Sequence, residues 1–274
     1  QRATARVVLI SAAAALGGFL FGFDTAVING AVDAIRGGFA LDAAQTGFAV
    51  SCALLGSALG AWYAGMLANR FGRVRTMQVA AVLLVAAALG SGLAYSVWSL
   101  IVWRLVGGVG VGVASVIAPT YIAEVSPAYI RGRLGSMQQL AIVLGIFAAL
   151  LSDAWLAGVA GGAAAPLWLG LAAWRWMFLV ATLPALIYGT LVLGVPESPR
   201  HLVAKGRLAE ARVVLRNVLN MHNEAALDSK LSDIEISLRS EHKPRLSDLR
   251  GKAAGLLPVV WIGILLSVFQ QFVG

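Results

Sequence analysis

Seven stretches of this chain are apolar over about 20 residues each, the length a helix needs to cross a hydrocarbon core ~30 Å thick. They fall at 7–30, 46–68, 76–97, 99–122, 134–157, 174–195 and 254–274. In lipid, backbone N–H and C=O groups have no water to bond, and runs of this length satisfy them internally as helices. The sequence therefore predicts an all-α membrane protein with six complete spans and a seventh cut by the last residue. The first run contains Asp24 and no small-residue cleavage site, so it reads as a span rather than a signal peptide.

Composition agrees. Of 274 residues 59% are hydrophobic and 12% are charged, whereas soluble domains carry roughly 45–50% apolar and ~25% charged residues. The net charge of +8 would suggest a nucleic-acid partner in a soluble chain. Here the cations cluster between the apolar runs, so no nucleic-acid partner is expected and the lipid bilayer is. With the N-terminus inside, eighteen of the 21 Lys and Arg residues lie on the cytoplasmic side. Outside remain Arg36 and Arg175, and Arg104 lies within a span. This asymmetry predicts a multi-pass protein of the cell (inner or plasma) membrane with a cytoplasmic N-terminus. Cys52, the single cysteine, excludes an intramolecular disulfide. The histidines 201, 222 and 242 lack metal-ligand spacing, so no metal site is expected.

Three segments follow: a six-helix bundle over 1–195, an intracellular helical linker over 196–252, and the first helix of another bundle over 253–274. In the linker, Leu202, Val203, Leu208, Ala211, Val214, Leu215, Val218 and Leu219 recur at helical spacing, as do Leu227, Leu231, Ile234 and Leu238. They predict two or three amphipathic helices lying on the cytoplasmic face.

A charge inside the hydrocarbon costs at least ~2.5–3.5 kcal/mol unless a partner or a wet cavity receives it. Asp24 stands about 18 residues into the first span and Arg104 a few residues into the antiparallel fourth, so both reach similar depth. They are expected to pair across the bundle interior, either as a proton-coupling switch or as a static ion pair. Gln138 and Gln139 in the fifth run, and Gln270 and Gln271 in the seventh, offer amide donors and acceptors suited to a hydroxyl-rich solute or to gluing helices together. Gly107, Gly108, Gly110 and Gly112, with Gly56, Gly60 and Gly65, are expected to let helices pack closely.

Five motifs in order resemble the sugar porters of the major facilitator superfamily. Gly65-Met66-Leu67-Ala68-Asn69-Arg70-Phe71-Gly72-Arg73-Val74-Arg75 is similar to the family's loop between helices two and three, with Val74 in place of a second Arg. Arg104-Leu105-Val106-Gly107-Gly108, Pro119 to Pro127 with Arg131-Gly132-Arg133, Pro196-Glu197-Ser198-Pro199-Arg200, and Gln270-Gln271-Phe272-Val273-Gly274 complete the set. The resemblance implies a major facilitator fold in which this chain supplies the N-terminal half and the start of helix seven, with a C-terminal six-helix half needed for function.

Position by position, it implies that Asp24 and Arg104 form a proton-coupling pair. Phe21, Gln139, Ile146, Gln270 and Gln271 match sugar-binding positions, and Ile146 leans toward glucose. Arg70, Arg73, Glu124, Arg131, Glu197 and Arg200 match a cytoplasmic charge network that latches the outward-facing state. The expected activity is uptake of a monosaccharide by proton symport through alternating access. No enzymatic activity is expected, and no cofactor beyond protons as the coupling ion. The alternatives are a facilitative uniporter of the same fold and a non-transporting membrane sugar receptor.

Overall fold

The computed structural model describes residues 2–127, 129–219, 223–240 and 257–273. They form helices α1 (Arg2–Gly38), α2 (Ala43–Phe71), α3 (Arg73–Gly92), α4 (Val97–Val125), α5 (Arg131–Ala160), α6 (Ala173–Val180), α7 (Thr182–Leu193), α8 (Pro199–Ala204), α9 (Leu208–Leu219), α10 (Glu224–Ser240) and α11 (Pro258–Val273). Six spans are long and apolar enough to cross a membrane, the sixth being α6 and α7 together, Ala173–Leu193. That span is not the single rod the apolar run suggests. It breaks at Ala181, because Pro184 has no N–H to offer the Val180 carbonyl and its ring crowds that turn.

Local chemistry sets the other boundaries. Asp42 and Gln45 close a reciprocal capping box at the start of α2, and the Ser96 hydroxyl accepts from the Ser99 N–H to start α4. Gly161, with φ +84°, ends α5 in a conformation a side chain would strain. Arg175 donates to the carbonyls of Gly92 and Ala94 at 3.1 and 2.6 Å, placing a cation on the open end of α3.

The chain forms two compact units, Gln1–Leu231 and Ser232–Gly274. The first holds the bundle together with α8, α9 and the opening of α10. The second holds the rest of α10 and α11, whose 16 residues span about 24 Å. The 254–274 run is thus helical over Pro258–Val273, and positions 254–256 and 274 lie outside the described residues.

Within the bundle α2 packs on α4 and α1 on α5, while α4 also meets α1 and α3. Its exposed faces are apolar: Leu55, Leu59, Trp62 and Met66 on α2, and Leu140, Leu144, Phe147 and Leu151 on α5 point away from the protein. The buried faces are built of Ala, Gly and a few large residues, the arrangement of a helix bundle in lipid, where burying apolar area against a neighbour gains little over lipid. One core cluster gathers Val7, Ile10, Met77, Ile117, Tyr121 and Tyr188 near the face carrying the N-terminus, the basic face. Another gathers Val27, Ala31, Ile35, Leu100, Trp174 and Phe178 toward the opposite face.

Backbone contact carries the α2–α4 seam. A Cβ on Gly108 would stand 2.1 Å from the Ala53 carbonyl oxygen, and one on Gly60 2.2 Å from that of Val109. Gly65, grouped with them by sequence, has open space around it instead, because it faces away from α4. Gly108→Ala is therefore expected to cost about 1–3 kcal/mol by forcing two backbones apart, while Gly65→Ala leaves stability unchanged. Thermal unfolding of the full-length protein in detergent checks the contrast, and equal effects of both substitutions would refute it.

Candidate functional site

Asp24 and Arg104 meet inside the bundle. Arg104 rises from the first third of α4 and reaches α1, where Nη1 donates to Asp24 Oδ1 at 3.3 Å and to the Asp24 carbonyl at 3.2 Å. The two ends of the pair differ in burial: the Arg104 side chain is 2% exposed and that of Asp24 is 21%. The guanidinium also lies 5.7 Å from the Phe178 ring centre, and its Nε has no hydrogen-bond partner. Gly107, one turn along α4, leaves Asp24 Oδ1 3.7 Å from where a Cβ would stand. A buried cation thus depends mainly on one carboxylate that is itself accessible.

The positions expected from the sequence to meet sugar divide by face. Phe21 is half-buried on α1, while Gln139 and Ile146 are exposed on α5. The helices bring them level, since a Cβ on Gly22 would stand 2.0 Å from the Ile142 carbonyl oxygen and 2.9 Å from the Ile146 nitrogen. Gln138, beside Gln139, turns into the α1–α5 seam against Gly18, with Oε1 unpaired. Gln270 and Gln271 belong to α11, and their side chains lie outside the described residues.

At the basic face Arg73, Glu124 and Glu197 converge from α3, α4 and the segment before α8. Arg73 forks onto Glu124, with Nη2 to Oε1 at 2.8 Å and Nε to Oε2 at 3.0 Å, a bidentate charge-assisted pair. Glu197 accepts from the backbone N–H of Arg73 at 3.0 Å, of Val74 at 3.3 Å and of Ser198 at 2.8 Å. It thereby caps α3, whose own N-cap residue, Gly72, has no side chain to do so. Gly72 is required here twice over: its φ is +101°, and a Cβ would stand 2.2 Å from Glu197 Oε2. Ser198 Oγ donates to Glu124, and Tyr121 donates to the Pro196 carbonyl at 2.6 Å, tying α4 to the same segment.

The remaining charged positions sit around this core. Arg70 is exposed with its guanidinium 5.3 Å from the Phe71 ring centre, and Arg131 reaches the Ser126 carbonyl at 3.5 Å. Arg200 is half-buried at the start of α8. Val74, where the family motif has Arg, is buried in the core, and Arg75 is exposed. Two further buried polar residues carry no motif that marks them, one in the clasp and one apart from it. His201, set aside for want of metal-ligand spacing, is 5% exposed and its Nδ1 lies 3.2 Å from Arg73 Nη1. Asp153, a carboxylate inside the fifth apolar run, is 3% exposed. The signal that marks Asp24 marks Asp153 too, since each is an acid among some twenty apolar neighbours.

Among the described residues, six spans with one ion pair in their interior and an ionic clasp at one end form the N-terminal half of a major facilitator fold. The chain belongs to the sugar (and other) transporter family, whose model matches residues 10–274. It is 57% identical over 269 residues to a "Glucose transport protein" of a Synechocystis species, covering 98% of this chain and 57% of that one. It is 36% identical over 296 residues to the D-xylose-proton symporter of Escherichia coli K12, covering 97% and 57%. Among solved structures, a major facilitator proton:xylose symporter bound to 6-bromo-6-deoxy-D-glucose superposes with a TM-score of 0.85 at 34% identity, over 99% of this chain and 60% of that one. The chain thus spans a little over half the length of the relatives it matches.

His201 gives the clasp a sign with pH. Arginine only donates, so His201 Nδ1 must accept from Arg73, and the ring must be neutral. Burial holds the imidazole below its usual 6.5, Arg73 and Lys205 push the same way, and Glu197 and Glu124 oppose them. The folded state then binds fewer protons than the unfolded chain, so this contribution to stability is complete above about pH 6.5 and is lost as pH falls below it. Full-length protein should melt lower at about pH 5.5 than at about pH 7.5, and His201→Gln, which keeps an acceptor but cannot ionise, should shrink that drop. An unchanged drop in the variant would show that other groups govern it.

Proposed function

We propose that this chain is the N-terminal half of a proton-coupled monosaccharide symporter, with its linker helices and the start of its seventh span, and that its N-terminus is cytoplasmic. The observation that carries the reading is the Asp24–Arg104 pair, a buried guanidinium neutralised by a carboxylate that remains accessible. When Asp24 is ionised the pair locks α1 to α4. When Asp24 takes a proton the charge attraction vanishes and Arg104 keeps only the Asp24 carbonyl and the Phe178 ring, so the two helices can shift. A proton is the only coupling ion the reading requires.

The sugar would lie between the two halves, against the face that presents Phe21, Gln139 and Ile146, with Gln270 and Gln271 contributing from the second half. The 57% identical relative is named for glucose transport, and Ile146 leans the same way, so glucose is the favoured substrate among hexoses. The clasp of Arg73, Glu124 and Glu197 would hold the cytoplasmic end closed, since separating it exposes three charges and frees the α3 backbone donors capped by Glu197.

The test is proton flux into proteoliposomes of the complete protein, challenged in turn with glucose, xylose, galactose and inositol. Addition of glucose should alkalinise the medium. Asp24→Asn should abolish that signal and lower uptake driven by a proton gradient about 5–150-fold, the span of typical coupling free energies, while glucose counterflow persists. Gradient-driven uptake unaffected by Asp24→Asn would instead identify a facilitative uniporter.

A further inference from the structure

Asp153 plays no part in the pair or the clasp. It stands on α5, seven residues before that helix ends, with its carboxyl pressed into the α1–α5 seam. A Cβ on Gly30 of α1 would lie 2.6 Å from both Asp153 Cβ and Oδ2, so the acid occupies room that only a glycine opposite leaves. It is 3% exposed, and neither carboxyl oxygen has a hydrogen-bond partner.

The charged groups on the helices packed against it are otherwise placed. Arg104 on α4 is held by Asp24, and Arg175 on α6 is held by the carbonyls of Gly92 and Ala94. Asp33 and Arg36 on α1 are exposed. Among the described residues no cation is bonded to Asp153. An ionised carboxylate in such a place would have neither water nor a counter-charge, whereas the neutral acid is uncharged and carries an O–H able to donate to a helix carbonyl.

The nearest cavity lies further along α1. A cavity of about 380 Å³ opens at the face opposite the basic one, lined by Asp33, Ala34, Trp174 and Arg175 among others. Asp33 is one helical turn from Gly30 along α1, and Asp24 lies six residues the other way, about 9 Å. In depth along α1, the level of Asp153 thus falls between that of the cavity and that of the ion pair.

We propose that Asp153 is a second proton-binding site, a neutral acid whose proton permits α1 and α5 to pack and whose release to water drives that seam apart. Proton binding at Asp153 does not depend on the symport reading. Its consequence for transport does, because α1 carries Phe21 and Asp24 and α5 carries Gln139.

Infrared difference spectra of the complete protein in detergent, stepped from neutral to alkaline pH, read the proton directly. The wild type should show loss of the carbonyl stretch of a protonated carboxylic acid. That signal should persist in Asp24→Asn and be absent from Asp153→Asn. Its absence from the wild type, its survival in Asp153→Asn, or its loss in Asp24→Asn alone would each overturn the proposal. Glucose counterflow supplies the second readout: activity should fall at alkaline pH in the wild type, and Asp153→Asn should retain it there. An identical alkaline fall in the variant would also overturn the proposal. If the Asp153 signal is found while no sugar moves protons, the symport reading fails and this one stands.

Discussion

A guanidinium that is 2% exposed within a bundle of apolar helices fixes much else in this molecule. A charged guanidinium cannot be left alone in a medium of low polarity. It must find an anion, and the anion must come from another helix at the same depth. That need sets α1 against α4 in one register. The aromatic ring of Phe178 and the Asp24 carbonyl add weaker support, which remains when the carboxyl charge is withdrawn.

The rest of the bundle accommodates that constraint through small residues. Apolar side chains gain little by leaving lipid for protein, so the seams are made by backbone proximity at glycine and by shape. Gly22 and Gly145 bring α1 and α5 together, and Gly56, Gly60, Gly108 and Gly112 do the same for α2 and α4. Seams of this kind hold few polar bonds in the membrane interior. The bonds are concentrated instead at the basic face, where Glu197 caps α3 and Arg73 forks onto Glu124. The seams are thus held by shape and the basic end by polar bonds.

Much of this was legible in the residues. Apolar runs mark the spans because their length must match the bilayer, and an intramembrane acid and arginine at matching depth point to one another because each is costly alone. The helical spacing of Leu202, Ala211, Leu215, Val218 and Leu227 announces the amphipathic linker helices, whose buried faces carry those residues. Other features were hidden. His201 reads as one of three scattered histidines until α3 and α8 bring Arg73 to its Nδ1. Gly65 shares its spacing with Gly60, yet only the latter faces α4. Asp153 is as conspicuous in its run as Asp24 and stands at a depth that Arg104 also matches, and its burial against Gly30 follows only from how α1 and α5 are rotated.

The sequence by itself determined the number of spans, the family and the identity of the charges that must not meet lipid, because hydrophobic length and charge cost are properties of residues. Tertiary structure alone decided which face of each helix meets which neighbour. That choice rests on backbone approach and side-chain shape summed across seams, quantities that no single residue carries. It seated Glu197 on the end of α3, brought His201 to Arg73, and left the Asp153 carboxyl without a hydrogen-bond partner among the described residues.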